Sequence, residues 1–252
     1  MFIKIDNRKL HYKKIGNGER SIIFVHGWGG SLYSLHALAM LASLDFTCYL
    51  IDLPGFGKSD TPPPQWGIAG YSEVLICFIK QLNIKNPNYV GHSFGGEIGL
   101  FIASRNTTMF DFLILCNSAF KRGNKKSLAT TLIRKIFSTG LGQGKIARSI
   151  RGLYYHIFHR SSDLTKYPHL ENNFRKIVKE DLTQMIPSIK TKTLILWGEE
   201  DSVTPVIWAY ELKRLISNSK IVVFPNCTHN LPIKQPKAVW TEISHFIGPG
   251  NE

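Results

Sequence analysis

Three side chains able to carry out acyl-transfer chemistry together stand far apart in the chain: Ser93, Asp201 and His229. A serine hydroxyl at its free pKa is a poor nucleophile. It needs a base within hydrogen-bond reach and a third group to orient that base. Ser93 lies in Gly91-His-Ser-Phe-Gly95, with Gly96 next. Tyr89 and Val90 close a strand-like run before it, and Ile98, Leu100, Phe101, Ile102 and Ala103 begin an apolar helical pattern after it. Strand, sharp turn and helix with G-x-S-x-G across the turn predict a nucleophile elbow. The glycines leave room for strand and helix to approach, and the helix N-terminus points unpaired N–H groups at the place where negative charge would develop.

Short buried strands alternating with amphipathic helices must hold these residues. Phe2–Ile5 and Leu10–Ile15 flank Asp6-Asn7-Arg8-Lys9, which reads as a hairpin with an Asx-type turn. Ser21–Val25, Thr47–Ile51, Phe112–Cys116 and Thr193–Trp197 are continuous apolar runs, as expected of strands buried on both faces. Ser31 is placed to cap the helix after the first of these, and further helices are predicted over 71–82 and 206–216. The pattern implies a parallel sheet with helices on both faces. In such sheets ligands bind outside the carboxyl ends of the strands, and Trp28, Asp52, Ser93, Asp201 and His229 each follow a strand end. From Ala119 the alternation stops, so residues 1–118 and 191–252 read as a core domain and 119–190 as an inserted, basic, helical cap. Tyr154, Tyr155 and Phe158 form an aromatic cluster within it.

Together these stretches resemble the α/β-hydrolase superfamily over essentially the whole length, and within it small bacterial serine hydrolases of the carboxylesterase and C–C hydrolase branch. His26-Gly-Trp-Gly-Gly30 is similar to the family's oxyanion loop and Asp52-Leu-Pro-Gly-Phe-Gly-Lys-Ser59 to its D-x-x-G-x-G-x-S turn. Gly91–Gly95 is similar to the elbow, Gly198-Glu-Glu-Asp201 to the acid turn, and the histidine loop ends at His229. The resemblance implies an α/β-hydrolase fold: a mostly parallel, eight-stranded sheet with helices on both faces and an inserted helical cap. It further implies Ser93 as nucleophile, His229 as general base and then acid, Asp201 as its orienting partner, and the backbone N–H groups of Trp28 and Phe94 as the oxyanion hole. Tyr154, Tyr155, Phe158 and Leu231 are the candidates for lining the substrate pocket, which the bulky Trp28 is expected to keep modest. His26 and His92 are expected to make structural hydrogen bonds in tight turns, Asp52 to bind backbone N–H groups, and Glu199 and Glu200 to be solvated.

The composition sets bounds on partners and location. With 252 residues, 43% of them hydrophobic, the chain can bury one large core. No N-terminal signal pattern and no apolar run of about 20 residues is present. The four cysteines are scattered without C-x-x-C spacing, so they read as thiols of a reducing cytoplasm and not as a disulfide or zinc frame. Of 31 Lys+Arg, 15 fall in residues 119–190 against 4 of the 18 Asp+Glu, so most of the net +13 sits in the insertion. Without a nucleic-acid signature, this favours a solvated basic surface over a nucleic-acid site; docking on an anionic membrane surface is a lesser alternative. The expected partner is a small acyl substrate, without cofactor or metal. Small carboxylic esters or thioesters cleaved through an acyl-enzyme form the leading reading. Hydrolysis of a C–C bond in a vinylogous diketone, or a ligand receptor with slow turnover, are the rivals.

Overall fold

The computed structural model describes residues 1–121 and 166–248. Eight strands form one sheet in the order β1-β2-β4-β3-β5-β6-β7-β8. They are β1 (Phe2–Ile5), β2 (Arg8–Ile15), β3 (Ser21–Val25), β4 (Thr47–Ile51), β5 (Asn88–His92), β6 (Phe112–Cys116), β7 (Lys192–Gly198) and β8 (Ser219–Phe224). The β1–β2 and β2–β4 pairings are antiparallel and all others parallel. Seven helices accompany them among the described residues: α1 (His36–Ala42), α2 (Ile68–Gln81), α3 (Phe94–Arg105), α4 (Glu171–Ile177), α5 (Ile207–Leu215), α6 (Leu231–Lys234) and α7 (Pro236–Ile247). This is the α/β-hydrolase fold that the resemblance implied.

The alternation of side chains along a strand splits the core into two layers. Ile23, Val25, Tyr49, Ile51, Tyr89, Leu113, Leu115, Ile195 and Trp197 face α2, α3 and α5, meeting Tyr71, Phe78, Ile98, Ile102, Ala209 and Leu212. Ile22, Phe24, Cys48, Leu50, Val90, Ile114, Cys116, Leu194 and Leu196 face the other way, onto Leu38, Ala42, Val239 and Ile243 of α1 and α7. Burial on both faces explains why these strands read as unbroken apolar runs. It also fixes the strand ends rigidly, so that the loops at the carboxyl edge start from defined points.

Local departures from the sequence reading have physical causes. The first hairpin turns on two residues, with Asp6 at φ 46° and Asn7 at φ 64°, and Arg8 already pairs with Ile5. Asp and Asn tolerate left-handed backbone, so the pair suffices for a tight primed turn where a four-residue Asx turn was expected. Ser31 caps a 3-10 turn, Leu32–Leu35, through Tyr33 N–H, and α1 follows only at His36. The α2 helix starts at Ile68, three residues before the predicted Tyr71, because Glu180 Oε2 accepts the Ile68 N–H at 3.1 Å from far along the chain.

The described ends of the 119–190 segment pack into the first layer. Phe120 is fully buried against Trp208, Leu182 N–H donates to the Phe120 carbonyl at 2.8 Å, and Ile186 and Ile189 are buried with them. Further on, α4 is strapped across the Asp52–Ile68 loop. Asn173 Nδ2 donates to the Pro63 and Trp66 carbonyls (2.8 and 3.0 Å), and Lys176 Nζ donates to Gln65 O at 2.8 Å.

Candidate active site

Ser93 occupies the single residue between β5 and α3, with φ 51° and ψ −114°. A positive φ at a non-glycine residue costs on the order of 1–3 kcal/mol and persists only where surroundings enforce it. Here the Ser93 N–H donates to Cys116 O at 3.0 Å, and its carbonyl accepts from Glu97 N (3.1 Å) and Ala119 N (3.2 Å). Gly95 makes the close approach possible, since a Cβ there would drive into the Val25 carbonyl.

The structure brings the three distant residues together. His229 Nε2 lies 3.0 Å from Ser93 Oγ, and His229 Nδ1 lies 2.8 Å from Asp201 Oδ2. Asp201 follows β7 and is buried. Its Oδ1 accepts the N–H groups of Val203 (2.8 Å) and Thr204 (2.9 Å). Its Oδ2 accepts from Asn117 Nδ2 at 2.6 Å and the Thr204 hydroxyl at 2.7 Å, besides His229. Burial alone would raise the Asp201 pKa; the hydrogen bond and charge of His229, with Thr204 and Asn117, outweigh it and leave a net lowering. The carboxylate thus stays ionised beside the ring, and the Nδ1 proton is directed toward it. Nε2 is then free to accept a proton from Ser93.

The other two histidines of the site are inert supports. His26 Nε2 accepts Leu53 N–H at 3.0 Å, which places the ring proton on Nδ1, and that donates to Gly27 O at 2.7 Å. The same carbonyl accepts Gly30 N–H at 3.0 Å. Trp28 N–H belongs to the same planar trans peptide as that carbonyl, so the clamp on one side aims the N–H on the other. Gly27 lets this loop lie against the serine: a Cβ there would stand 3.0 Å from Ser93 Cβ. The Phe94 N–H opens α3, where a helix leaves its first N–H groups without intrahelical acceptors. His92 Nε2 donates to the His229 carbonyl at 2.8 Å, pinning the histidine loop. Burial pushes His26 down to about 4. Burial, with the charge His229 can carry, pushes His92 down to about 3. Both are therefore neutral and locked in one tautomer. Asp52 binds backbone, as expected, accepting Leu32 N–H (2.7 Å) and Lys58 N–H (2.9 Å); it also meets His11 Nδ1 at 2.7 Å.

A cavity of about 680 Å³ opens over Ser93 and His229, and its described wall is mostly apolar, with Trp28, Phe94, Phe174, Ile177, Trp208 and Ile233. It is roomier than the modest pocket expected. The Trp28 indole lies back in an aromatic nest, with ring centroids 5.0 Å from Phe56, 5.5 Å from Phe94 and 5.2 Å from Phe174. Leu231 does not line it: that side chain is buried in the other layer, with Val239 and Ile243, and Ile233 faces the cavity in its place. A two-residue step along the short α6 moves a side chain by more than half a turn. Tyr154, Tyr155 and Phe158 lie outside the described residues. Lys166 is the charged side chain among the described lining. Among the described residues no group of three or more His, Cys, Asp or Glu is placed to hold a metal ion, and no helix is long and apolar enough to cross a membrane.

Three contributors escaped the sequence reading. Asn117 follows the end of β6, so the strand-end rule that selected the others also pointed to it. Thr204 sits three residues after Asp201, at a spacing suited to closing a turn on the carboxylate. Tyr167, whose hydroxyl donates to Gly29 O at 3.0 Å, carried no local signal.

Comparison with known proteins places the chain. The sequence profile of the alpha/beta hydrolase fold matches residues 20–139, and that of TAP-like proteins matches residues 175–252. The chain is 24% identical to the pimeloyl-[acyl-carrier protein] methyl ester esterase of Wigglesworthia glossinidia brevipalpis, covering 95% of this chain and 98% of the relative. It is 23% identical to a 2-hydroxy-6-oxononadienedioate/2-hydroxy-6-oxononatrienedioate hydrolase of Cupriavidus pinatubonensis, covering 95% and 91%. Its fold superimposes on MGS-M2, an alpha/beta hydrolase enzyme from a deep-sea metagenome library, with a TM-score of 0.78 at 21% identity over 100% of this chain and 98% of that one. Sheet order, matched profiles and relatives named as hydrolases agree: the chain has the α/β-hydrolase fold.

Proposed function

We propose that this protein is a serine hydrolase that cleaves small carboxylic esters or thioesters through an acyl-enzyme. The observation that carries the reading is the 3.0 Å contact between Ser93 Oγ and His229 Nε2 on the wall of a large apolar cavity. Ser93 attacks the acyl carbon as His229 takes its proton, giving a tetrahedral oxyanion held by the Trp28 and Phe94 N–H groups. Asp201 keeps the ring in the accepting tautomer and stabilises the imidazolium. His229 then protonates the leaving group, which departs, and finally activates the water that releases the acid. A mostly apolar wall suits an acyl chain, and the similarity to an esterase of an acyl methyl ester supports the ester class. The test is Ser93→Ala: turnover of p-nitrophenyl acetate is expected to fall by about 10⁶ with the melting temperature preserved. Substantial hydrolysis by that variant would end this reading.

A second reading, hydrolysis of a C–C bond in a vinylogous diketone, is favoured by the similarity to the Cupriavidus hydrolase and by Lys166 at the cavity, a cation suited to a substrate carboxylate. Parallel kcat/KM values on an ester series and on such a diketone separate the two.

A further inference from the structure

Asn117 stands one residue past β6 with φ 47°, a backbone setting that asparagine tolerates, and it is completely buried. Its N–H donates to Leu196 O at 2.9 Å, so the residue is fixed to the neighbouring strand β7 that delivers Asp201. Its side-chain Nδ2 reaches Asp201 Oδ2 at 2.6 Å. Thr204, also buried, places its hydroxyl 2.7 Å from the same oxygen and 3.2 Å from both Asn117 O and His229 Nδ1. A hydroxyl has one proton to give; the shortest of these contacts directs it to Asp201. With the Val203 and Thr204 N–H groups on Oδ1, the carboxylate accepts five donors and only one of them is the histidine.

We infer that Asn117 and Thr204 are positioning residues for the reaction proposed above, and rest on that reading: they hold the Asp201 carboxylate as a pure acceptor so that His229 keeps its proton on Nδ1. A buried carboxyl group stripped of these two donors favours its protonated form. Once protonated, Asp201 donates where it should accept, the imidazole shifts its proton to Nε2, and the nitrogen facing Ser93 can no longer serve as a base. Asn117 and Thr204 thus act on the chemistry without touching substrate. Their effect passes through the charge state and plane of one carboxylate.

The experiment measures kcat and KM for p-nitrophenyl acetate across the acid range with Asn117→Ala, Thr204→Val and Thr204→Ser in the full chain, each checked by thermal melting. Asn117→Ala and Thr204→Val are expected to lower kcat by about 10- to 100-fold with KM within about twofold, the pattern of an interaction made in the transition state. Their acid limbs should steepen from a slope of one toward two, as Asp201 begins to take up a proton in the measured range. Thr204→Ser, which keeps the hydroxyl, should retain activity within about threefold. If Asn117→Ala does not fold, the Val and Ser pair at Thr204 carries the test alone. The inference is overturned if KM rises while kcat is kept, if Thr204→Ser is as impaired as Thr204→Val, or if the acid limb keeps its slope. Ser93→Ala separates the two levels. Hydrolysis surviving in Ser93→Ala removes the serine-hydrolase reading itself, whereas a dead Ser93→Ala beside fully active Asn117→Ala and Thr204→Val removes only the positioning role.

Discussion

Among the described residues, two buried aspartates at the carboxyl edge of the sheet are paired with histidines. Asp52 follows β4 and meets His11 Nδ1 at 2.7 Å; Asp201 follows β7 and meets His229 Nδ1 at 2.8 Å. Both carboxylates also accept backbone N–H groups. What differs is the far side of each ring. The His11 ring packs on Phe2, with centroids 4.9 Å apart, within the antiparallel edge of the sheet. His229 presents Nε2 to a hydroxyl held in a strained turn beside a cavity. The paired carboxylate and imidazole are thus a general fastening element. Chemistry requires the third atom and room for a substrate, which the β5 and β8 ends supply together.

Removing each carboxylate in turn separates the two pairs. Asp201→Asn should lower kcat by about 10³–10⁴ on an activated ester while leaving the fold intact, because the ring loses its tautomer partner. Asp52→Ala should instead cost about 3 kcal/mol in denaturant unfolding, since two buried donors, Leu32 N–H and His11 Nδ1, and the part-buried Lys58 N–H lose their acceptor, with the folded fraction still turning over at near the parent rate. A comparable fall in kcat for both would erase the distinction drawn here.

A further contrast sets His229, which reaches the cavity, against the sealed His26 and His92. In the unfolded chain each titrates near ~6.5, whereas in the folded protein they do so only at about 4 and about 3. Between those values the unfolded state binds more protons, so stability falls as pH drops. By pH 5 the loss is about 2 kcal/mol for each. Urea titrations at pH 7 and pH 5 should show it, and replacing either histidine by asparagine should flatten the difference; a midpoint unmoved by acid would contradict their burial as neutral rings. In α6 the contrast lies between neighbouring side chains. Leu231→Ala should destabilise by about 2–3 kcal/mol with KM unchanged, and Ile233→Ala should shift KM for longer acyl chains with stability within about 0.5 kcal/mol. The reverse assignment would mean that the two side chains exchange places in solution.

Much of this architecture was legible in the residues because its causes are local. Strands buried on both faces announce themselves as unbroken apolar runs, and the G-x-S-x-G turn encodes its own backbone. The strand-end rule then put Trp28, Ser93, Asp201 and His229 on one edge, where the structure also has them. Contacts between distant segments were not legible. Asn117 and Asp201 are 84 residues apart, and Glu180, which starts α2, is 112 residues from Ile68; no periodicity records such pairings. Leu231 was misplaced for a subtler reason. In a helix of four residues, which side faces the cavity is decided by packing against α7, and the sequence pattern of a single turn is too short to carry that.

The bond from Tyr167 to the Gly29 carbonyl has a consequence for protein engineering. Tyr167, within the 119–190 segment, moors it to the very loop proposed to supply an oxyanion donor. Exchanging that segment for a relative's therefore also exchanges a tether on the loop. A chimera joined upstream of Lys166 keeps the mooring of this protein, while one joined downstream of His169 inherits a foreign one and, with it, a differently tensioned loop.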